Sequence, residues 1–470
     1  MDIIDKFLNF EEKYKLIEKE INGFCIWGYI RFNIYKILAG QQSYNSGAGK
    51  KKKIWMLVKA IYRYPIKIKE KKILVFNHPR KMKINGCYEC IYTDEISKLY
   101  KNDTNVFEFL YKGKHFIPSK IDNITFLDYV DIFPVIERLL FGRFHKKTVN
   151  QLRSSASYLY DLLKREFQTD IKKDYLEKMI IKRYYWHYYK KKHLKRIVER
   201  ANPKVILEVV GYETNKMIVN EIAKELKIPT IELQHGVIGR GHIAYNYLEK
   251  QKLPYFPDKI FLYSQYWKSC TLFPINADNQ VITGFNYIER ELKKVTEKVE
   301  GAYNILFISQ NDDQAKRLSR LAVELYKLFK NKKIECKLFY KLHPLETDTW
   351  KNNYPELAKY TKYNDEISVI DNSTIPIYEY FSKCNIQIGI TSTAIYEGLA
   401  FGLRTYIYKT EMSKIYMSYL IDTKYAVFFT NSGDLFRKIR TINKNKSVNL
   451  DFIWEKNSLK NISREIDKYL

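Results

Sequence analysis

No run of apolar residues in this sequence is long enough to cross a bilayer: nothing reaches the ~18 apolar positions that a spanning helix needs. The opening, MDIIDKFLNFEEKYKL, is charged from its second residue and holds no apolar signal core, so the chain is expected to stay inside the cell. Cysteine is sparse. Its six positions (25, 87, 90, 270, 336 and 384) are scattered and form no dense framework, which points to a reducing cytoplasm. Cys87 and Cys90 make a C-x-x-C, but no second pair or histidine cluster completes a zinc site, so they read as two semi-buried thiols. Internal repeats and low-complexity tracts are missing. So is the G-x-G-x-x-G spacing, which leaves a dinucleotide site without support. No D-x-D motif stands out; Asp312 and Asp313 fall at a predicted helix start, where capping explains them. Chemistry without a metal or other cofactor fits that composition better. Acid is also short: 53 Asp and Glu against 81 Lys and Arg leave a formal net charge of +28. Such a surface calls for an anionic partner, whether nucleic acid, acidic lipid headgroups or a phosphorylated substrate.

What is present is ample material for a core. Hydrophobic residues make up 46% of 470, too long a chain for one core, so two or more domains are expected. Residues 1–45 read as helical, and Gly47 to Lys53 as a loop or basic linker. A compact strand at 73–76 ends in Asn77-His78-Pro79-Arg80; another falls near 124–127, and 135–200 is a basic helical insertion. Short apolar strands at 205–210, 230–234, 260–263 and 281–284 then alternate with helices, which implies a parallel sheet covered on both faces. The pattern restarts with strands at 304–309, 337–342, 367–370, 385–390 and 405–408, separated by helices near 312–330, 376–383 and 393–402. The expected fold class is α/β, with two Rossmann-like domains facing a cleft. The first spans 1–285 and the second 303–445, with a polar linker at 286–302 and a C-terminal helix at 446–470 packing back on the first domain.

Open parallel sheets bind ligands beyond the carboxyl ends of their strands, and the unusual polar clusters fall at such ends. The strand at 385–390 runs into Thr391, Ser392 and Thr393 at a helix start, where free N–H groups and the helix dipole suit phosphate. Glu397, one turn further, is placed to meet a ribose hydroxyl. Plain N-capping by Ser or Thr is the competing explanation. Lys341, Leu342, His343 and Pro344 end another strand of the same domain, where the imidazole and ammonium suit a diphosphate; Ser309 and Gln310 border the same pocket. In the first domain, Gln234, His235, Gly236, Arg240 and His242 form a glycine-rich loop beyond a strand, with His235 as base or phosphate contact. His78 and Arg80 sit near Asp94 and Glu95. Asp94 and Glu213 are candidate general bases for an acceptor hydroxyl, beside the bland reading of solvated surface acids.

Two Rossmann-like domains, the Gln234-His235-Gly236 loop, the His343-Pro344 pair and the Ser/Thr cluster before a helix together resemble GT-B glycosyltransferases of bacterial capsule and lipopolysaccharide assembly. The pattern is most similar to the sialyl-, polysialyl- and Kdo-transferases, whose corresponding motifs hold a CMP-sugar. Teichoic-acid glycerophosphotransferases have a similar architecture. The segments around His78 and Tyr92-Thr93-Asp94 resemble uncharacterised surface-polysaccharide proteins. The resemblance covers roughly 200–410, and 1–130 only loosely. It implies a metal-independent transferase with a nucleotide-sugar donor in the C-terminal domain and a glycan or lipid-linked acceptor on the N-terminal side. His343 and Ser392 would bind the donor phosphate, and Asp94 or Glu213 would serve the acceptor. The carboxylate motif marking the sialyltransferase base is not recognisable here, so a polyol-phosphate transferase and a UDP- or GDP-hexose transferase stay open.

The segment from Arg183 to Arg196 interleaves aromatics with cations, which suits either an anionic membrane interface or an ordinary packed helix. A peripheral place on the inner face of the cytoplasmic membrane follows from the first of these. The basic residues are spread through the chain without a recognised nucleic-acid motif, so nucleic acid is not the expected partner. A non-catalytic scaffold is the remaining class; for it, His343→Ala and Ser392→Ala would leave function intact.

Overall fold

The structure is a computed structural model that describes residues 2–40, 57–65, 67–78, 81–111, 113–294, 303–310, 313–343, 345–363, 367–370, 376–441 and 450–470. Two sheets, parallel throughout, form its framework. The first contains β1 (Ile73–Phe76), β2 (Thr104–Glu108), β3 (Ile124–Phe126), β4 (Val205–Val209), β5 (Thr230–Leu233), β6 (Lys259–Leu262) and β7 (Gln280–Ile282), in the order β7-β6-β5-β4-β1-β2-β3. The second contains β8 (Tyr303–Ile308), β9 (Cys336–Lys341), β10 (Ile367–Ile370), β11 (Ile386–Gly389), β12 (Arg404–Tyr408) and β13 (Ala426–Phe429), in the order β10-β9-β8-β11-β12-β13. The central strands ILVF, VILEV and IQIG are buried at every position, as strands covered on both faces must be. The two Rossmann-like α/β domains expected from the sequence are therefore present.

Strand order reverses between β4 and β1 in the first sheet and between β8 and β11 in the second. Such switch points leave a crevice at the carboxyl ends of the flanking strands, where ligands of open α/β sheets bind. Asn77-His78 and Val210–Glu213 follow β1 and β4; Ser309-Gln310 and Ile390–Thr393 follow β8 and β11.

Two departures from the sequence reading have local causes, and one open alternative is narrowed. Residues 2–40 are not uniformly helical: helices Ile3–Lys13 and Ile26–Leu38 are separated by a hairpin that turns at Asn22 and Gly23, with φ of 50° and 73°; residues 41–56, with the expected linker at 47–53, lie outside the described residues. The start of the expected linker is helix Asn286–Leu292, which buries Tyr287 and Ile288; residues 295–302 lie outside the described residues. Helix Lys173–Ala201 buries the rings of Tyr184, Tyr185 and Tyr189 against its neighbours, so these three are not available to a lipid surface.

The last helix, Ser458–Ile466, lies against helices Asp94–Leu99 and Asn286–Leu292, and its Ile462 and Ile466 join the apolar cluster of Ile73, Val75 and Val205. Aromatic side chains seal the domain boundary. Tyr266 stacks on Tyr396 at 5.7 Å between centroids, their hydroxyls are 2.9 Å apart, and the Trp454 indole N–H donates to the Tyr396 carbonyl at 3.2 Å. Stacked pairs of this kind contribute about 0.5–1.5 kcal/mol beyond their burial.

Candidate active site

The hydroxyl cluster of the second domain sits at its switch point. Helix Thr393–Ala400 begins there with Ser392 as N-cap, whose Oγ accepts the Ala394 N–H at 3.3 Å. Capping thus accounts for one of the three hydroxyls. Gln310 reaches across from the end of β8, and its Oε1 accepts from both the Thr391 N–H (3.1 Å) and the Thr391 hydroxyl (3.0 Å). Thr393 faces the other domain: its Oγ1 accepts the backbone N–H of Val237 at 3.2 Å, and a Cβ on Gly236 would lie 3.4 Å from that same oxygen. Two clusters far apart in sequence, one from each domain, therefore meet at one point of the cleft.

His343 lies two strands from Thr391, with β8 between, or roughly 10 Å at ordinary strand spacing. Its turn is organised by Glu346, a residue the sequence reading passed over. Glu346 is 1% exposed. Its carboxylate accepts the His343 N–H at 2.7 Å, the Ser309 hydroxyl at 3.1 Å and the Tyr354 hydroxyl. The His343 Nδ1 accepts the Leu345 N–H at 3.2 Å, which turns Nε2 away from the backbone. Lys341 is half-buried at the end of β9. Pro344 and Arg80 lie outside the described residues. Glu397 is half-buried one turn into the helix; Tyr378 donates to its Oε2 at 2.8 Å, and burial pushes its carboxyl up to about 7.

In the first domain, His235 and His78 come from β5 and β1, on either side of β4, and their rings stack at 6.4 Å. The ring nitrogens of His235 face the hydroxyls of Tyr212 (3.4 Å) and Tyr245 (3.3 Å), and its carbonyl accepts from Tyr92 at 2.8 Å. His242 stacks on Phe32 at 5.4 Å, and burial pushes it down to about 4, so it is neutral at physiological pH. Gln234 is a brace for the loop: its amide donates to the Gly236 carbonyl at 2.8 Å and accepts the Tyr263 N–H at 2.9 Å. Arg240 turns to the N-terminal helix, where it pairs with Asp5 and with Asp2 at 3.7 Å. The loop is pressed against the second domain at Gly241, where a Cβ would lie 2.3 Å from the Tyr416 ring; the Tyr416 hydroxyl donates to the Gly241 carbonyl at 2.7 Å.

The two candidate bases differ in access. Asp94 is fully buried, its Oδ2 accepts the Cys90 N–H at 2.9 Å, and burial pushes it up to about 7. The Glu213 side chain is 41% exposed beside the β4 crevice, 3.8 Å from Lys216. A further pair of acids, Glu208 and Glu232, lies under the loops on β4 and β5. Nothing in the sequence marks it, because strand register is invisible there. Among the described residues no disulfide forms between the six cysteines, and no group of three or more His, Cys, Asp or Glu side chains is placed to hold a metal ion.

No family model matches this chain, and no curated protein matches it either. Solved structures do share its fold. The UDP-GlcNAc 2-epimerase of Methanocaldococcus jannaschii is 9% identical over 85% of this chain and 100% of its own, with a TM-score of 0.50. A putative UDP-N-acetylglucosamine 2-epimerase from Listeria monocytogenes is 8% identical over 85% and 96% of the two chains, also at 0.50. At such identities the likeness is one of fold, and it gives this chain the architecture of two Rossmann-like domains about a cleft.

Proposed function

We propose that the chain is a GT-B glycosyltransferase that moves a sugar from a nucleotide-activated donor to a surface-polysaccharide or lipid-linked glycan. The observation that carries this is the meeting of the Thr391–Thr393 cluster, at the switch point of the second domain, with the His235–Val237 loop that follows β5 of the first. In this reading Gln310, Thr391, Ser392 and the helix N–H groups hold the donor phosphates. His343, with Lys341 beside it, stabilises the leaving phosphate, an electrostatic role that needs no metal. Glu213 is favoured over Asp94 as acceptor-side base because its side chain is partly exposed whereas Asp94 is fully buried. A CMP-activated sugar of the sialic acid or Kdo type is the favoured donor, on the resemblance of the His-Pro and Ser/Thr motifs; a CDP-polyol and a UDP- or GDP-hexose are the alternatives. The test is a thermal-shift series with CMP, CDP, UDP, GDP and ADP, each with and without magnesium.

A second reading is favoured by the names of the two solved structures reported above, among the many that share the fold: a nucleotide-sugar epimerase, which needs no acceptor. Incubation with the nucleotide sugar alone separates the two, because only an epimerase converts the sugar while it stays attached to its nucleotide.

Attachment to an anionic membrane is part of the proposal. Among the described residues no helix is long and apolar enough to cross a membrane. Leu139, Phe144, Leu140, Phe141, Val135 and Ile136 nonetheless form an exposed apolar edge, Leu139 at 81% and Phe144 at 71%. From 138 to 160 the chain carries Arg138, Arg143, Lys146, Lys147 and Arg153 and no acid. Arg153 pairs with Glu177 at 2.9 Å, and apolar insertion flanked by the other four cations is what acidic headgroups attract.

A further inference from the structure

A cavity of about 260 Å³ opens behind the β4 crevice, between helices Ile26–Leu38, Lys173–Ala201 and Thr214–Glu225. Its chemistry is one-sided. Arg183 reaches in from the long helix, donating to the Thr214 hydroxyl at 2.6 Å and to the side-chain Oδ1 of Asn33 at 3.1 Å. Among the described residues no carboxylate lies within 4.0 Å of its guanidinium. The other arginine of the cavity, Arg31, is already neutralised by Glu11 through two bonds of 2.7 Å. Glu213, on the rim, has Lys216 as its counter-ion. Arg183 is therefore a half-buried cation whose direct hydrogen-bond partners are neutral; it lies over the Trp186 ring at 5.3 Å and is attracted by the nearby Glu213 without a direct bond, an arrangement that leaves room for an anion.

Three independent features converge on the same space. Helix Thr214–Glu225 starts at the cavity wall, and its N-cap residue, Glu213, provides no side-chain hydrogen bond to the first turn. Free N–H groups at a helix start favour a negative ligand. Tyr255 is 2% exposed and lines the cavity, and its hydroxyl, next to Tyr247, makes no hydrogen bond within 3.5 Å of any described residue. Burial keeps that phenol protonated, so it offers a donor. Val210, a β-branched residue at the wall, holds φ at 64°, a strained value of the kind stored at binding sites. The cavity has been kept open for the ring: a Cβ on Gly28 would lie 2.5 Å from Tyr255.

We propose that this cavity binds the anionic group, a carboxylate or a phosphate, of a sugar-sized ligand. Arg183, the helix start and the Tyr255 hydroxyl take the charged group, and Phe32 and Tyr212 flank the ring. Tyr212 also reaches His235, so an occupant lies one side chain from the cleft loop. Under the transferase reading this is a seat for an acidic acceptor; the binding claim itself stands without that reading.

The test is calorimetric titration of the full chain at low salt with glucuronate, glucose 6-phosphate and glucose. One or both charged probes bind and glucose does not; which of them binds distinguishes carboxylate from phosphate. Arg183→Gln weakens that binding at least tenfold. Tyr255→Phe, which removes one oxygen and keeps the packing, weakens it several-fold and decides the matter should Arg183→Gln fail to fold. Binding of glucose as tight as that of the charged probes overturns the proposal, as does no binding of either charged probe, or unchanged affinity in Tyr255→Phe and in a folded Arg183→Gln. Nucleotide titration of the same samples reads the other domain, so the two claims fail separately.

Discussion

Glu208 and Glu232 are register partners on adjacent parallel strands, and neither is exposed to solvent by more than 1%. Both crowd Gly211, where a Cβ would lie 2.8 Å from one carboxyl and 2.5 Å from the other. Burial, and then the Glu232 charge, push Glu208 up to about 8; burial pushes Glu232 up to about 7. The ordinary value of each is 4.5, so between pH 4.5 and 8 the folded chain holds more protons than the unfolded one. Stability conferred below pH 4.5 is therefore lost as pH rises through 7 to 8. The melting temperature should fall by on the order of 5 °C from pH 5 to pH 8, and Glu208→Gln should flatten that slope. A melting temperature that climbs over the same range would contradict the assignment.

Glu346 accepts three hydrogen bonds at the His343 turn. Glu346→Gln replaces one acceptor oxygen by a donor, and leaving a buried partner unsatisfied costs about 1–3 kcal/mol. Chemical denaturation should report that loss, and nucleotide affinity should fall with it. An unchanged midpoint would mean the turn is held by other contacts.

Gly241→Ala puts a methyl group into the Tyr416 ring. The cleft loop must then retreat from the second domain, and nucleotide affinity should drop several-fold while each domain keeps its secondary structure by circular dichroism. Wild-type affinity in the variant would show that the contact does not set the cleft.

The apolar edge at 135–144 gives a prediction that can be read on vesicles. Leu139→Glu with Phe144→Glu should abolish sedimentation with vesicles rich in anionic lipid, and the wild-type chain should not bind zwitterionic ones. Melting should be nearly unchanged, since both side chains are exposed. Equal binding by the variant would move the membrane contact elsewhere.

The fold was largely legible because its strands are short apolar runs that end at polar clusters, as at Ile73–Phe76 before Asn77-His78. Thr104–Glu108 is not legible because only Val106 and Phe107 of its five residues are apolar and it ends on an acid that a distant Lys81 neutralises at 2.7 Å. The hairpins at Asn22-Gly23 and Asn85-Gly86 carry a local sequence signal, an Asn-Gly pair, and both residues of each pair hold positive φ. For the site, position along the strands was readable but direction was not. Gln234 and Arg240 turn from the cleft toward Tyr263 and Asp5, partners that sequence distance hides. The exposed apolar edge was hidden for the same reason, since only packing shows which face of a helix is left uncovered.

The central claim is a nucleotide pocket at the β8–β11 switch point, and the thermal shift of the full chain with CMP, CDP, UDP, GDP and ADP tests it most directly. One nucleotide at a hundred times its dissociation constant should stabilise the protein by roughly 2.7 kcal/mol, and His343→Ala and Thr391→Ala should each erase most of that shift. A CMP-selective shift that persists without magnesium agrees with the account in full. No shift with any nucleotide, in a chain that melts cooperatively, contradicts it.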